Sequence, residues 1–419
     1  MDKRLNVKKT AAALLCALVV WTGVSLFARY GLGAPKAAGE ALYDQVELLA
    51  EAITIIRSDY VNEVEPKRLI YGALKGVVES LDRHSQFMDP TAFTEMQVET
   101  KGEFGGVGLE ITVSKEGYLT VVTPMDDTPA ANSGLKPNDK IVKIDDQSTR
   151  GISLQEAVKK LRGRVGTKVN LSIFREPDDK ILEVTLTRAV IKIRSVKDAK
   201  KVADNIGYVR IAEFQDSTGR ELKKAVEEFG GKPIDGLILD LRNNPGGLLD
   251  VAVEVTGLFI QKGKLVVSTK GRVKDQNMQL YAKEDHPHLE YPMVVLINGG
   301  SASASEIVAD ALQDHQRAIL MGTKSFGKGS VQTVIPLRDG SALRLTTSLY
   351  YTPSGRTIHG EGLQPDIVVE EEMPSDEKET AKPEKEEPPP LDQTVAIKDP
   401  VLLRAIDLLK GLKVYQVTR

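Results

Sequence analysis

The run 293–297, Met-Val-Val-Leu-Ile, is stopped at once by Asn298-Gly299-Gly300, and a helical pattern follows it. A short apolar run ending in Asn-Gly-Gly predicts a buried strand closed by a turn. Over 301–313, Ile307, Val308, Ala311 and Leu312 recur at helical spacing, which predicts an amphipathic helix. The same alternation recurs along the chain. Strands are predicted near 206–211, 237–241, 318–321 and 343–348, and helices near 217–228 and 248–259. Apolar runs alternating with amphipathic helices specify β-α units and an α/β core.

The turn before the 301–313 helix is rich in serine. Ser303 with Glu306 matches the capping-box pattern, which sets a hydroxyl beside unpaired backbone N–H groups at a helix start. Residue pattern alone does not choose among Ser301, Ser303 and Ser305. Downstream, Lys328 lies between Gly327 and Gly329, where the backbone bends freely. A helix cap and a turn account for each segment taken singly. Together they offer a serine and a lysine with no evident histidine partner.

The string Gly-Ser-Ala-Ser-Ala-Ser-Glu-Ile over 300–307, followed by Phe326-Gly-Lys-Gly329 and Gln332, closely resembles the carboxyl-terminal processing peptidases, or tail-specific proteases. The resemblance covers roughly residues 40 to 370. It implies Ser303 as nucleophile, Lys328 as its base and Gln332 as the residue that orients the lysine. It also implies a crotonase-like α/β peptidase core with an inserted PDZ domain. Lysine acts as a general base only when uncharged. Lowering its usual pKa of about 10.4 to roughly 8 takes on the order of 3 kcal/mol, supplied by burial or a nearby cation. Gln332 accepts a lysine N–H through its carbonyl. Four residues of straight strand span about 13 Å, so Gly329 must bend the chain for that contact to form.

An oxyanion needs backbone donors. Residues 237–248 read as an apolar strand running into Asn244-Pro245-Gly246-Gly247. The Pro-Gly-Gly turn alone is a weak signal. The resemblance assigns the oxyanion hole to Gly246 or Gly247 together with Ala304. The five histidines, His84, His286, His288, His315 and His359, fall in linkers, loops or helix ends. Each reads as a surface or loop residue, with His359 the strongest rival base.

Upstream, the glycine-rich loop 104–108 enters a strand, residues 133–145 alternate into another, and further strands are predicted near 118–122, 168–174 and 181–186. Leu154, Ala157, Val158 and Leu161 mark a short amphipathic helix. This resembles a PDZ domain, β-rich and partly an open barrel, which adds a peptide strand to its sheet edge and takes a free carboxylate on backbone N–H groups. Gly106, Val107, Gly108 and Leu109 would hold that carboxylate, with the 154–161 helix walling a pocket for the last side chain. Arg162 and Arg164, beside this helix, are candidate sensors of the bound state. Nucleotide binding is disfavoured, because the glycines lead into a strand and no Gly-Lys-Ser/Thr ending follows.

Among 419 residues, 56 Lys and Arg stand against 59 Asp and Glu, so no basic footprint points to nucleic acid. The expected partners are protein substrates with apolar C-termini, with an adaptor as a further expectation. No cofactor or metal is expected. The single cysteine, Cys16, allows no intramolecular disulfide. It lies in the apolar segment 11–27, which follows Lys3, Arg4, Lys8 and Lys9 in the manner of a secretory signal or membrane anchor. Export to the periplasm or cell envelope is therefore expected.

The expected layout is a signal or anchor over 1–39, a helical region over 40–97, the PDZ domain over 98–190 and the peptidase core over 191–369. An acidic Pro-rich linker, 370–392, and a C-terminal helix, 393–419, complete it. Helical stripes near both termini suggest homo-oligomer contacts, and the apolar face of the last helix should dock on this chain or on another copy. The 80–85 string is assigned a structural role. The function expected is an exported Ser-Lys endopeptidase that reads substrate C-termini, the alternative being a PDZ scaffold with a misaligned site.

Overall fold

The computed structural model describes residues 36–114, 116–176, 179–203, 205–229, 234–284, 291–370 and 399–417. The leader with Cys16, His286, His288 and nearly all of the acidic linker lie outside them. The chain divides into two compact units, Met1–Val77 and Val78–Arg419.

The first unit contributes helix α1, Lys36–Asp59, and most of α2, Pro66–Glu79. Leu42, Val46, Leu49 and Ile56 of the predicted stripe on α1 are exposed. No helix among the described residues is long and apolar enough to cross a membrane.

The second unit opens with β1 (Gln86–Met88) and α3 (Pro90–Lys101). Asp89 caps α3 by accepting the N–H groups of Thr91 and Ala92, and Gly102 ends it at φ 69°. The PDZ segment follows, with β2 (Glu103–Gly106), β3 (Leu109–Val113), β4 (Leu119–Pro124), α4 (Pro129–Asn132), β5 (Lys140–Ile144) and β6 (Gln147–Ser148). It continues through α5 (Leu154–Leu161), β7 (Lys168–Arg175), β8 (Lys180–Thr187) and β9 (Ala189–Lys192). Its sheet runs β3-β4-β5-β7-β8, leaving β3 as an edge strand, while β2 pairs with β9. Leu119, Val121, Ile141, Val169, Leu171 and Ile173 are fully buried between sheet and helices.

The peptidase segment contains β10 (Val196–Ala203), β11 (Ile206–Ile211), α6 (Thr218–Glu228), β12 (Gly236–Asp240), α7 (Leu249–Gly257), β13 (Leu265–Gly271) and β14 (Met278–Tyr281). Then come β15 (Met293–Ile297), α8 (Ala304–Asp314), β16 (Ile319–Gly322), β17 (Ser330–Pro336), β18 (Ala342–Tyr351), β19 (Ile367–Val368) and α9 (Pro400–Val417). One sheet runs β10-β11-β12-β15-β16-β19, parallel from β11 onward. Its central strands are apolar throughout because both faces are covered. Val209, Leu239, Val295 and Leu320 face a core shared with α6, α7 and α8. Tyr208, Ile238, Val294 and Met321 face α9. The predicted strand at 343–348 is longer than expected and belongs elsewhere: β18 pairs with β17, β1 and β13 in a second, antiparallel sheet.

The last helix uses its apolar face on its own chain. Val401, Ala405, Ile406 and Leu409 are buried against the sheet, and Asp399 caps the helix start through the N–H groups of Val401 and Leu402. Arg242 fastens this end, at 2.6 Å from both Asp240 and Asp399. Asp240 is 1% exposed, so Arg242→Ala would strand a buried carboxylate. The expected loss is about 3–5 kcal/mol in denaturant melts. Burial alone would raise the Asp399 carboxyl, but Arg242 and the cap N–H groups hold it below its usual range. Its stabilising contribution is therefore complete above the unfolded Asp pKa and is lost as pH falls through the lower folded value. Melts of Arg242→Ala should show a weaker acid-side dependence, since only the cap N–H groups then lower the Asp399 carboxyl.

Candidate active site

Three loops leave the carboxyl ends of the parallel strands and meet there, the edge where open α/β sheets bind ligands. They are residues 241–248 after β12, 298–303 after β15 and 323–329 after β16. Asn244 ties the first two together. Its carbonyl accepts Ala302 N–H at 3.0 Å and the Ser305 hydroxyl at 2.9 Å, and its side chain accepts Gly246 N–H at 2.9 Å.

This packing separates the three serines. Ser301 and Ser305 are fully buried, and their hydroxyls donate to the carbonyls of Leu241 and Asn244. Ser303 is half-buried at φ 56°, ψ −115°, a strained conformation for a residue with a side chain. Only half of the capping box forms. Glu306 accepts Ser303 N–H at 2.8 Å, while the Ser303 hydroxyl is left out of the cap because its backbone is not in the extended N-cap conformation.

Glu306 is the residue that the sequence understated. Its side chain is fully buried. One oxygen accepts the Ser325 hydroxyl at 2.5 Å and Gly327 N–H at 2.7 Å; the other accepts Ser303 N–H and, at 2.9 Å, Lys328 N–H. Four donors satisfy a carboxylate that would otherwise be costly to bury. The same four bonds staple the Ser303 turn to the Lys328 loop. Gly329 is required here, because a Cβ would lie 2.7 Å from His359 N.

Lys328 is half-buried. Burial pushes its ammonium below the usual lysine range, the Arg344 guanidinium pushes it further down, and the Glu306 carboxylate opposes both. His84 sits within electrostatic reach of Lys328 and His359, and burial followed by the Lys328 charge lowers it. Two histidines read from the sequence as surface or loop residues, His359 among them as the strongest rival base, thus flank the lysine loop. His315 instead contacts the Leu265 carbonyl at 2.7 Å.

Not every expected contact is present. Among the described residues no hydrogen bond joins Ser303 Oγ to Lys328 Nζ, or Gln332 to Lys328. Gln332 lies at a bulge between β17 and β18, and its Nε2 donates to Ser330 Oγ at 2.9 Å and Thr346 Oγ1 at 3.3 Å.

The glycines next to Ser303 differ in their availability. Gly246 N–H is committed to Asn244, whereas the N–H groups of Gly247 and Ala304 carry no hydrogen bond among the described residues. A Cβ on Gly246 would lie 2.7 Å from Ser303 Cβ and 2.9 Å from Ala304 N. On Gly247 it would meet the Phe214 carbonyl at 2.1 Å.

In the PDZ segment, the carbonyls of Val107 and Gly108 accept from Ala130 and Met125, both at 2.9 Å, while the N–H groups of Val107 and Gly108 have no partner among the described residues. Gly108 has φ 78°, and a Cβ there would strike Thr128. Helix α5 packs beside edge strand β3, with Ala157 and Leu161 buried and Leu154 exposed. The Arg162 guanidinium stacks 4.4 Å over the Phe104 ring, whereas Arg164 is exposed.

Comparison with known proteins agrees with this architecture. A model of peptidase family S41 matches residues 205–369, one of the PDZ domain matches 120–175, and one of the activating protease CtpB N-terminal domain matches 27–92. A carboxy-terminal-processing protease of Bartonella bacilliformis is 48% identical over 336 residues, covering 79% of this chain and 76% of that protein. Carboxy-terminal processing protease CtpA of Bacillus subtilis is 35% identical, covering 79% and 70%. A solved photosystem II D1 C-terminal processing protease is 29% identical with a TM-score of 0.45, covering 77% and 92%. On the family models and the two sequence relatives the chain belongs to peptidase family S41, as a serine endopeptidase of the carboxy-terminal-processing group with a PDZ domain.

Proposed function

We propose that this protein cleaves exported proteins through a Ser303–Lys328 dyad, with Gln332 orienting the lysine and the PDZ loop holding the substrate's C-terminus. The observation that carries this reading is the Glu306 bracket, which brings the backbones of Ser303 and Lys328 onto one buried carboxylate. Lys328 Nζ takes the Ser303 Oγ proton as Oγ attacks the scissile carbonyl carbon. The N–H groups of Gly247 and Ala304 receive the oxyanion. Lys328 then protonates the leaving amine, and water releases the acyl group from Ser303. Catalytic hydrogen bonds often tighten only once substrate binds, so the missing Ser303–Lys328 contact is compatible with this sequence of steps.

The unpaired N–H groups of Val107 and Gly108 suit a terminal carboxylate, and the free edge of β3 suits an added peptide strand. Arg162, anchored on Phe104 beside this loop, is a better candidate than Arg164 for sensing the bound tail. The basic and apolar N-terminus supports export to the periplasm or cell envelope, with 11–27 as signal or inner-membrane anchor. The exposed α1 stripe supports homo-oligomer contacts, and an adaptor that delivers substrate belongs to the same reading.

Two measurements on the full chain test it. A fluorophosphonate should label wild type but not Ser303→Ala, and a substrate with a free apolar C-terminus should be cleaved faster than its amidated copy. Labelling that persists in Ser303→Ala would remove the nucleophile assignment. Equal cleavage of both substrates would remove tail reading.

A further inference from the structure

Residues 80–85, read from the sequence as structural, fold against β18 in the gap between its pairings with β1 and β13. Asp82 Oδ1 accepts the N–H groups of His84 at 2.7 Å and Ser85 at 2.8 Å, and Oδ2 accepts the Ser85 hydroxyl at 2.8 Å. The Thr346 hydroxyl also donates to Asp82 Oδ1, at 3.3 Å. Ser85 Oγ in turn accepts Thr346 N–H at 3.1 Å, which fixes the threonine from a second direction. On its other side, Thr346 Oγ1 meets Gln332 Nε2 at 3.3 Å.

This line of bonds has a direction. An ionised carboxylate only accepts, and a hydroxyl has one proton to give. Burial would raise the Asp82 carboxyl, but the donors from His84, Ser85 and Thr346 outweigh it and keep the group ionised at neutral pH. Thr346 gives its proton to Asp82, so its oxygen can only accept from Gln332. Gln332 must then turn its NH2 toward Thr346 and Ser330, which sends its carbonyl the opposite way. That Oε1 carries no hydrogen bond among the described residues, and it is the only side-chain atom of Gln332 able to accept a lysine N–H.

We propose that Asp82, acting through Thr346, is a positioning residue for the peptidase reaction that sets which end of the Gln332 amide is presented to Lys328. The proposal rests on the reading of Gln332 as the residue that orients Lys328. It assigns the segment before the PDZ domain a part in the chemistry of a core that begins more than a hundred residues later.

The test measures kcat and KM on a peptide substrate, with thermal melting, for full-length Asp82→Ala, Thr346→Val, Thr346→Ser and Gln332→Ala, and for Asp82→Ala combined with Gln332→Ala. Loss of one directed bond to an ionised partner should lower kcat about 10- to 100-fold in Thr346→Val and Asp82→Ala, with KM nearly unchanged. Thr346→Ser keeps the hydroxyl and should retain wild-type kcat. The double variant should be no slower than Gln332→Ala alone, since both substitutions remove one device. Full activity in Thr346→Val, or a double variant whose losses multiply, would overturn the proposal while leaving the role of Gln332 standing. Wild-type kcat in Gln332→Ala would remove the underlying reading and this proposal with it. If Asp82→Ala does not fold, the contrast between Thr346→Val and Thr346→Ser decides.

Discussion

Lys328→Ala is expected to lower kcat/KM on a peptide substrate by about 10²- to 10⁴-fold, the range that a positioned general base supplies. Ser303→Ala should fall at least as far. The double variant should fall no further, because in the proposed mechanism the two groups act as one device. Lys328→Arg should be as inactive as the alanine variant, since a guanidinium keeps its proton. The pH profile carries the sign of the mechanism. Burial and Arg344 hold the Lys328 amine below the usual lysine range, and only its neutral form accepts the serine proton. Activity should therefore be lost below that depressed pKa and rise as pH climbs through it. An acid limb set by a histidine, with Lys328→Ala active and His359→Ala dead, would reassign the base.

The second large effect is expected at Glu306. Glu306→Ala leaves the N–H groups of Ser303, Gly327 and Lys328 and the Ser325 hydroxyl without their common acceptor in a buried site. Each of the four orphaned donors costs about 1–3 kcal/mol, so a loss of at least about 4 kcal/mol is expected. That should appear as a melting-temperature drop of roughly 8 °C or more, alongside loss of activity. Glu306→Gln preserves volume but not chemistry. Both carboxylate oxygens accept two bonds, so an amide must point its NH2 at two donors whichever way it turns. It should therefore be nearly as inactive as the alanine variant. A glutamine variant with wild-type activity and melting temperature would show that the bracket is dispensable.

Much of the fold was legible because its signals are local. The apolar run 293–297 and the turn after it became β15 and the loop before α8, and the amphipathic pattern at 154–161 became α5 with its Ser153 cap. The strand near 343–348 was legible as a strand but not as part of a second sheet. Pairing partners far apart in sequence leave no trace in periodicity. The nearness of His84 to Lys328 was hidden for the same reason, since their approach depends on residues 80–85 reaching β18. Glu306 was visible only as a helix-capping residue. Its larger part needs a loop about twenty residues downstream to return to the helix start.

The sequence by itself determined the α/β character of the core, the PDZ segment, and the serine and lysine loops with glycines at positions that side chains would block. Those properties follow from side-chain period, turn chemistry and backbone freedom, which act over a few residues. Tertiary structure alone decided which of three serines has an uncommitted hydroxyl, and which of two glycines an uncommitted N–H, among the described residues. It also decided how a buried carboxylate joins two loops. Hydrogen-bond satisfaction in a buried site is settled among groups distant along the chain, so it is written only in the packed arrangement.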